Sequence, residues 1–135
     1  MSAEQNRVQL NKFLTFINTA DRNLGAEVVS EDAVFHIPNS PEPMRGLDGY
    51  LAVIGMMRSG FPDIRWTLEE TIAEGEKIAA RFEMRGTHRG EFFGVPPTGN
   101  TIAVKALNFY SFDNGKIIEE HGLPDLLGLM KQIGA

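Results

Sequence analysis

The 135-residue chain contains no cysteine. Disulfides, thiol nucleophiles and thiolate metal sites are excluded together, and no redox compartment is indicated. Basic residues are in deficit: 13 Lys and Arg against 18 Asp and Glu give a net charge of −5. No Lys/Arg run offsets this locally, so the chain lacks the electrostatic pull toward phosphate that nucleic-acid binding needs. No apolar run approaches the roughly 18 residues of a membrane span. The opening residues, MSAEQNR, are polar and lead into an amphipathic stretch rather than a secretory leader. There is no G-x-S-x-G elbow, no P-loop and no G-x-G-x-x-G after a strand. Repeats, low-complexity tracts and linkers are missing too. What remains is ordinary globular composition, 42% hydrophobic and 23% charged, enough for one domain over residues 1–135 with a sizeable core. A soluble, cytoplasmic protein is expected, with no membrane or nucleic-acid partner.

Leu10, Phe13, Leu14 and Ile17 recur at i, i+3, i+4 and i+7 along one helical face. Ser2 and Gln5 have the spacing of a capping box. Asp21, Arg22 and Asn23 stop this helix. A short helix follows over 24–29, a strand over 33–37, a Pro-rich turn over 38–43 and a third helix over 48–59 with Gly60 at its end. After Pro62 the pattern changes to strands. Segments 64–73 and 78–87 flank Glu74-Gly75-Glu76-Lys77, and 101–112 and 116–123 flank Asp113-Asn114-Gly115, a strong hairpin signal. Pro124 closes the last strand, and 126–133 carries a terminal helix. Helices first and a run of long antiparallel strands afterwards is an α+β order. Strand 101–112 is apolar on both parities, with Val104 and Ala106 on one and Leu107 and Phe109 on the other. A sheet with one wet face alternates cleanly. Both faces are therefore covered, the second by a cavity or by another subunit.

The chemistry-bearing residues gather near the end of the chain. Glu119, His121, Leu123 and Asp125 share a parity along the last strand. A two-residue type I′ turn at Asn114-Gly115 sets Phe112 opposite Ile117 and Asn108 opposite His121. A type I turn with Gly115 as a bulge residue moves the pairing by one and brings Ser111 to the face of His121. Both registers stay open. Asp125 has two readings of opposite chemistry. As the N-cap of the terminal helix it accepts backbone N–H bonds and its pKa falls. On the floor of an apolar pocket it is desolvated and its pKa rises toward that of a general base. His121 reads equally as a solvated edge residue or a pocket residue. His36, between Phe35 and Ile37 but facing away from both, and His88, at the start of a long loop, read first as structural or exposed and second as substrate contacts. No two histidines stand at H-x-H or H-x₃-H spacing, so no metal site is expected. Trp66, Phe109 and Met57 offer apolar surface that serves a core or a pocket alike.

The loop Gly86-Thr87-His88-Arg89-Gly90-Glu91-Phe92-Phe93-Gly94-Val95-Pro96-Pro97-Thr98-Gly99, with Gly115-Lys116-Ile117 and the tail from Leu123-Pro124-Asp125 to Gln132-Ile133-Gly134, resembles the SnoaL-like polyketide cyclases of the nuclear-transport-factor-2-like superfamily. The resemblance extends over nearly the whole chain. It implies a cone-shaped α+β fold in which a curved antiparallel sheet wraps the N-terminal helices around a deep pocket, with a homodimer formed through the sheet. It further implies a cofactor-independent cyclase or isomerase of a polyketide-like or other apolar carbonyl compound, working by general acid/base catalysis through an enolate. A non-catalytic small-molecule-binding or dimeric interaction module, and an epoxide-opening hydrolase, are the alternatives on the same scaffold. The family's catalytic aspartate, just before the terminal helix, matches Asp125. The family's histidine in the penultimate strand is replaced here by Ser111, which can hydrogen-bond a carbonyl but cannot carry a proton near neutral pH. The expected site is thus Asp125 and His121 as catalysts, with Ser111, Phe109, Trp66, Met57, His36 and His88 around an apolar small-molecule substrate.

Overall fold

Ser2 begins the first helix as its spacing implies. Its hydroxyl accepts the Gln5 N–H at 3.1 Å while the Gln5 side chain takes the Ser2 N–H at 2.8 Å, the reciprocal arrangement that satisfies two otherwise free helix donors. The computed structural model describes residues 2–134. In order it contains α1 (Ala3–Thr19), α2 (Arg22–Val28), β1 (Val29–His36), β2 (Met44–Arg45), α3 (Gly46–Gly60), β3 (Arg65–Glu74), β4 (Lys77–Thr87), β5 (Thr101–Asp113), β6 (Lys116–Pro124) and α4 (Leu126–Gln132). Of the α1 stripe, Leu10 and Phe13 are fully enclosed and Ile17 nearly so, as expected, while Leu14 is only half-buried and Phe16 takes the fully enclosed place beside them. They pack with Tyr50 and Ile54 of α3 against Phe35, Ile78, Phe82, Tyr110 and Ile117 of the sheet. A second cluster, around Phe61, Ile102, Leu129 and Ile133, fills the end nearer α4. Among the described residues no helix is long and apolar enough to cross a membrane.

The six strands form one curved sheet in the order β2-β1-β6-β5-β4-β3. It is mixed rather than wholly antiparallel. β1 runs parallel to β6, with His36 beside His121, because the chain between them is long enough for the crossover that a parallel pair requires. β2, two residues long, pairs with β1 through Arg45 and Met44; a strand that short leaves no periodicity to read. The inner face carries Ile102, Val104, Ala106, Tyr110 and Phe112 of β5, all buried. The outer face leaves Leu107 and Phe109 58% and 62% exposed. Within one chain, therefore, only the inner side of the sheet is covered, and the expectation that both faces are covered is not met by the chain alone.

The last hairpin combines the two registers that the sequence leaves open. Asn114 and Gly115 both have positive φ, 54° and 78°, as a type I′ turn demands, and Phe112 pairs with Ile117. One step further, Ser111 pairs with Glu119 and Ile118 is left over as a bulge. From there onward Tyr110 faces Glu120, Phe109 faces His121 and Asn108 faces Gly122. A one-residue shift in pairing exchanges the two faces of a strand. The bulge therefore turns Glu120 and Gly122 inward, and Glu119, His121 and Leu123 outward.

Candidate active site

Between the inner face of the sheet and helices α1 and α3 lies an open-mouthed pocket. Its cavity volume is about 100 Å³, below the roughly 300–1,000 Å³ of drug-sized small-molecule sites. Its walls are apolar. Trp66, Phe82, Met84 and Ala106 line it from the sheet and Met57 from α3, while Phe92 and Phe93 close in from the loop after β4. That loop is anchored from below. Arg89 and Gly90 donate their N–H groups to the Gly60 carbonyl at 3.0 and 3.1 Å, and the Phe92 ring meets Phe61 at 5.1 Å, edge to face.

Into this apolar wall four polar side chains converge: Tyr50 from α3, Asn108 and Tyr110 from β5, and Glu120 from β6. Glu120 is 3% exposed. The Tyr50 hydroxyl donates to its Oε2 at 3.4 Å, and Tyr110 also hydrogen-bonds the carboxylate. Asn108 Nδ2 in turn donates to the Tyr110 hydroxyl at 3.0 Å, and Asn108 Oδ1 is held by the Leu123 N–H at 3.1 Å. A chain of donors thus runs from the backbone to one acid. Among the described residues no cation forms an ion pair with Glu120. Burial therefore dominates over the two tyrosine hydrogen bonds and pushes its pKa up to about 7. Tyr50 and Tyr110 are pushed well above the ordinary phenol value, first by burial and then by the Glu120 charge, so both remain protonated donors. Gly122 keeps the space beside the acid open. A Cβ there would lie 3.2 Å from Glu120 Oε1 and 3.6 Å from Asn108 Oδ1.

Of the residues singled out from the sequence, Trp66 and Met57 line this pocket. The others stand elsewhere. Pro124 and Leu126 reach the pocket, but Asp125 between them is turned outward and exposed. Its Oδ1 accepts the Gly128 N–H at 2.8 Å as the N-cap of α4. The bulge places His121 and Phe109 on the outer face, and Ser111 lies there too, accepting from Lys77 Nζ at 3.2 Å. His36 is on the same face, its Nε2 2.9 Å from Glu119 Oε2. His88 is fully buried at the base of the loop. Its Nδ1 accepts the Thr98 N–H at 3.2 Å, and its backbone pairs with Asn100 and Gly99. The residues that sequence reasoning passed over as site groups are Glu120, Tyr50 and Tyr110. Glu120 reads as part of a charged run unless the bulge is known, and the tyrosines read as core.

With Asp125 engaged as a cap, Asp125→Ala is expected to cost about 1 kcal/mol of stability. Turnover should stay within a few-fold of the parent. A denaturant melt and a rate measurement on the same sample check both halves.

A family model for SnoaL-like polyketide cyclases matches residues 8–133. The chain is 28% identical over 100 residues to aklanonic acid methyl ester cyclase of Streptomyces peucetius, covering 73% of this chain and 68% of that one. It is 27% identical over 90 residues to nogalonic acid methyl ester cyclase of Streptomyces nogalater, covering 66% and 67%. Among solved structures, IdmH of Streptomyces antibioticus superposes with a TM-score of 0.86 at 29% identity, over 97% of this chain and 99% of that one. TsrD of Streptomyces laurentii superposes at 0.87 with 25% identity, over 100% and 98%.

Proposed function

We propose, because this chain belongs to the SnoaL-like polyketide cyclase family, that it cyclises or isomerises an apolar, polyketide-like carbonyl compound without a cofactor, and that Glu120 is its proton-transfer group. One observation carries this reading: a buried carboxylate with no cationic partner among the described residues, lifted to about 7, opening onto an apolar pocket. A base with that value is substantially ionised at neutral pH and yet basic enough to take a proton made acidic by a neighbouring carbonyl.

In the proposed reaction the Glu120 carboxylate removes a proton from the carbon alpha to a carbonyl, and the electron pair moves onto that oxygen as an enolate. Neutralising Glu120 frees the Tyr50 and Tyr110 hydroxyls, which had been donating to its charge, to donate to the developing oxyanion. The enolate carbon then attacks a second carbonyl of the same molecule, closing a ring, and the new alkoxide takes back the proton from Glu120. Atoms and charge balance, and no redox partner is needed. Isomerisation follows instead if the enolate is reprotonated at another carbon. The apolar walls exclude water, so each of these hydrogen bonds acts in a medium of low polarity.

The test uses aklanonic acid methyl ester and nogalonic acid methyl ester, the compounds for which the two curated relatives are named. With substrate deuterated at the carbon alpha to the carbonyl, the protein should yield an isomer that has lost one of those deuterons, at a rate that rises with pH through about 7 and then levels off. Substrate that binds but returns unchanged, with all its deuterium, would leave a binding module in place of an enzyme.

A further inference from the structure

On the side of the sheet away from the pocket, the fold assembles three donors that lie far apart in sequence. His36 is on β1, and Glu119 and His121 are on β6, and the parallel pairing of these strands sets His36 directly beside His121. Glu119 precedes His121 by two residues and so shares its face. His36 Nε2 lies 2.9 Å and His121 Nε2 3.5 Å from the same oxygen, Glu119 Oε2. One ligand atom from each of the three lies within 4.8 Å of the others. The two imidazole rings stack 4.3 Å apart and nearly parallel.

We infer that His36, Glu119 and His121 form a binding site for a divalent transition-metal ion of the zinc class, stapling β1 to β6. Zn²⁺ bonds to imidazole nitrogen and carboxylate oxygen at about 2.0–2.2 Å, which sets tetrahedral donor separations of roughly 3.3 Å. The two measured separations, 2.9 and 3.5 Å, bracket that value. Two neutral imidazoles and one carboxylate suit Zn²⁺, Co²⁺, Ni²⁺ or Cu²⁺, and offer too few oxygens for Ca²⁺. Parallel stacked rings cannot both point at one ion, so binding requires one ring to rotate about its side-chain torsions. The side chains are 40% and 60% exposed, which leaves them room. Three protein ligands leave the fourth position to water. Lys77 is the nearby cation that adds to the field at Glu119, and its ammonium is occupied by Ser111. The sequence hides this arrangement because its ligand spacing is created by strand pairing rather than by a local motif.

The site is independent of the pocket chemistry, so it is tested by binding rather than turnover. Zn²⁺ alone is titrated into the chelator-treated protein against a chromophoric zinc indicator, with imidazole ¹⁵N resonances followed in parallel. The expected result is one saturable site. His36 and His121 signals should move together while buried His88 stays still, and the thermal midpoint should rise with Zn²⁺. H121A and E119Q should each weaken binding at least tenfold. Absence of saturable binding, or affinity undiminished in both variants, would overturn the assignment.

Discussion

Glu120→Gln is expected to lower turnover by about 10²–10⁴-fold, the usual contribution of a positioned acid/base group. The substitution keeps the shape of the side chain and an oxygen that can still accept from Tyr50 and Tyr110, but it cannot take a proton. Because the loss lies in the chemical step, kcat should fall while KM changes little. Tyr50→Phe, which removes one donor and leaves the acid in place, should cost less. Circular dichroism and a denaturant melt on the same preparation establish that the fold is kept. Retention of most activity in E120Q would shift the chemistry to another group and remove the central element of the proposal.

The same variant should become more stable than the parent as the solution turns alkaline. Glu120 holds its proton up to about pH 7 when folded, against 4.5 ordinarily. Between those values the folded chain binds a proton that the unfolded chain has released, so rising pH weakens the fold. A gap of about 2.5 pH units corresponds to about 3 kcal/mol, fully expressed above pH 7 and absent below pH 4.5. Asp63, Glu83 and Glu119 have lowered values and pull the opposite way, since the stability they contribute is lost as pH falls. They are common to both proteins and cancel in the comparison. Urea melts from pH 4 to pH 8.5 should therefore show the two proteins converging in acid and E120Q pulling ahead above neutrality. Parallel profiles would mean that Glu120 titrates normally.

The family and the element order were legible because they rest on strong local signals. The α1 stripe, the capping box at Ser2, the Asn114-Gly115 turn and the glycine- and proline-rich loop from Gly86 to Gly99 are all short-range features. The parallel β1–β6 pair was hidden, since a strand carries no mark of its neighbour's direction. The site was legible only in part. Trp66 and Met57, read from the sequence as apolar surface for a core or a pocket, line the pocket from β3 and α3. Asp125 carried both a cap signal and a resemblance, and its side chain is found capping α4 on the exposed side. Glu120 escaped notice because parity counted back from His121 or forward from Lys116 gives contradictory answers, and the bulge that reconciles them is a three-dimensional event.

That surplus residue, Ile118, has an evolutionary consequence. Dropping its one codon would restore an unbroken ladder through the hairpin and leave the pairs beyond it as they are, with Tyr110 still opposite Glu120 and Phe109 still opposite His121. A lineage can therefore shed or regain this triplet without exchanging the acid that faces the hollow, while every position downstream is renumbered by one.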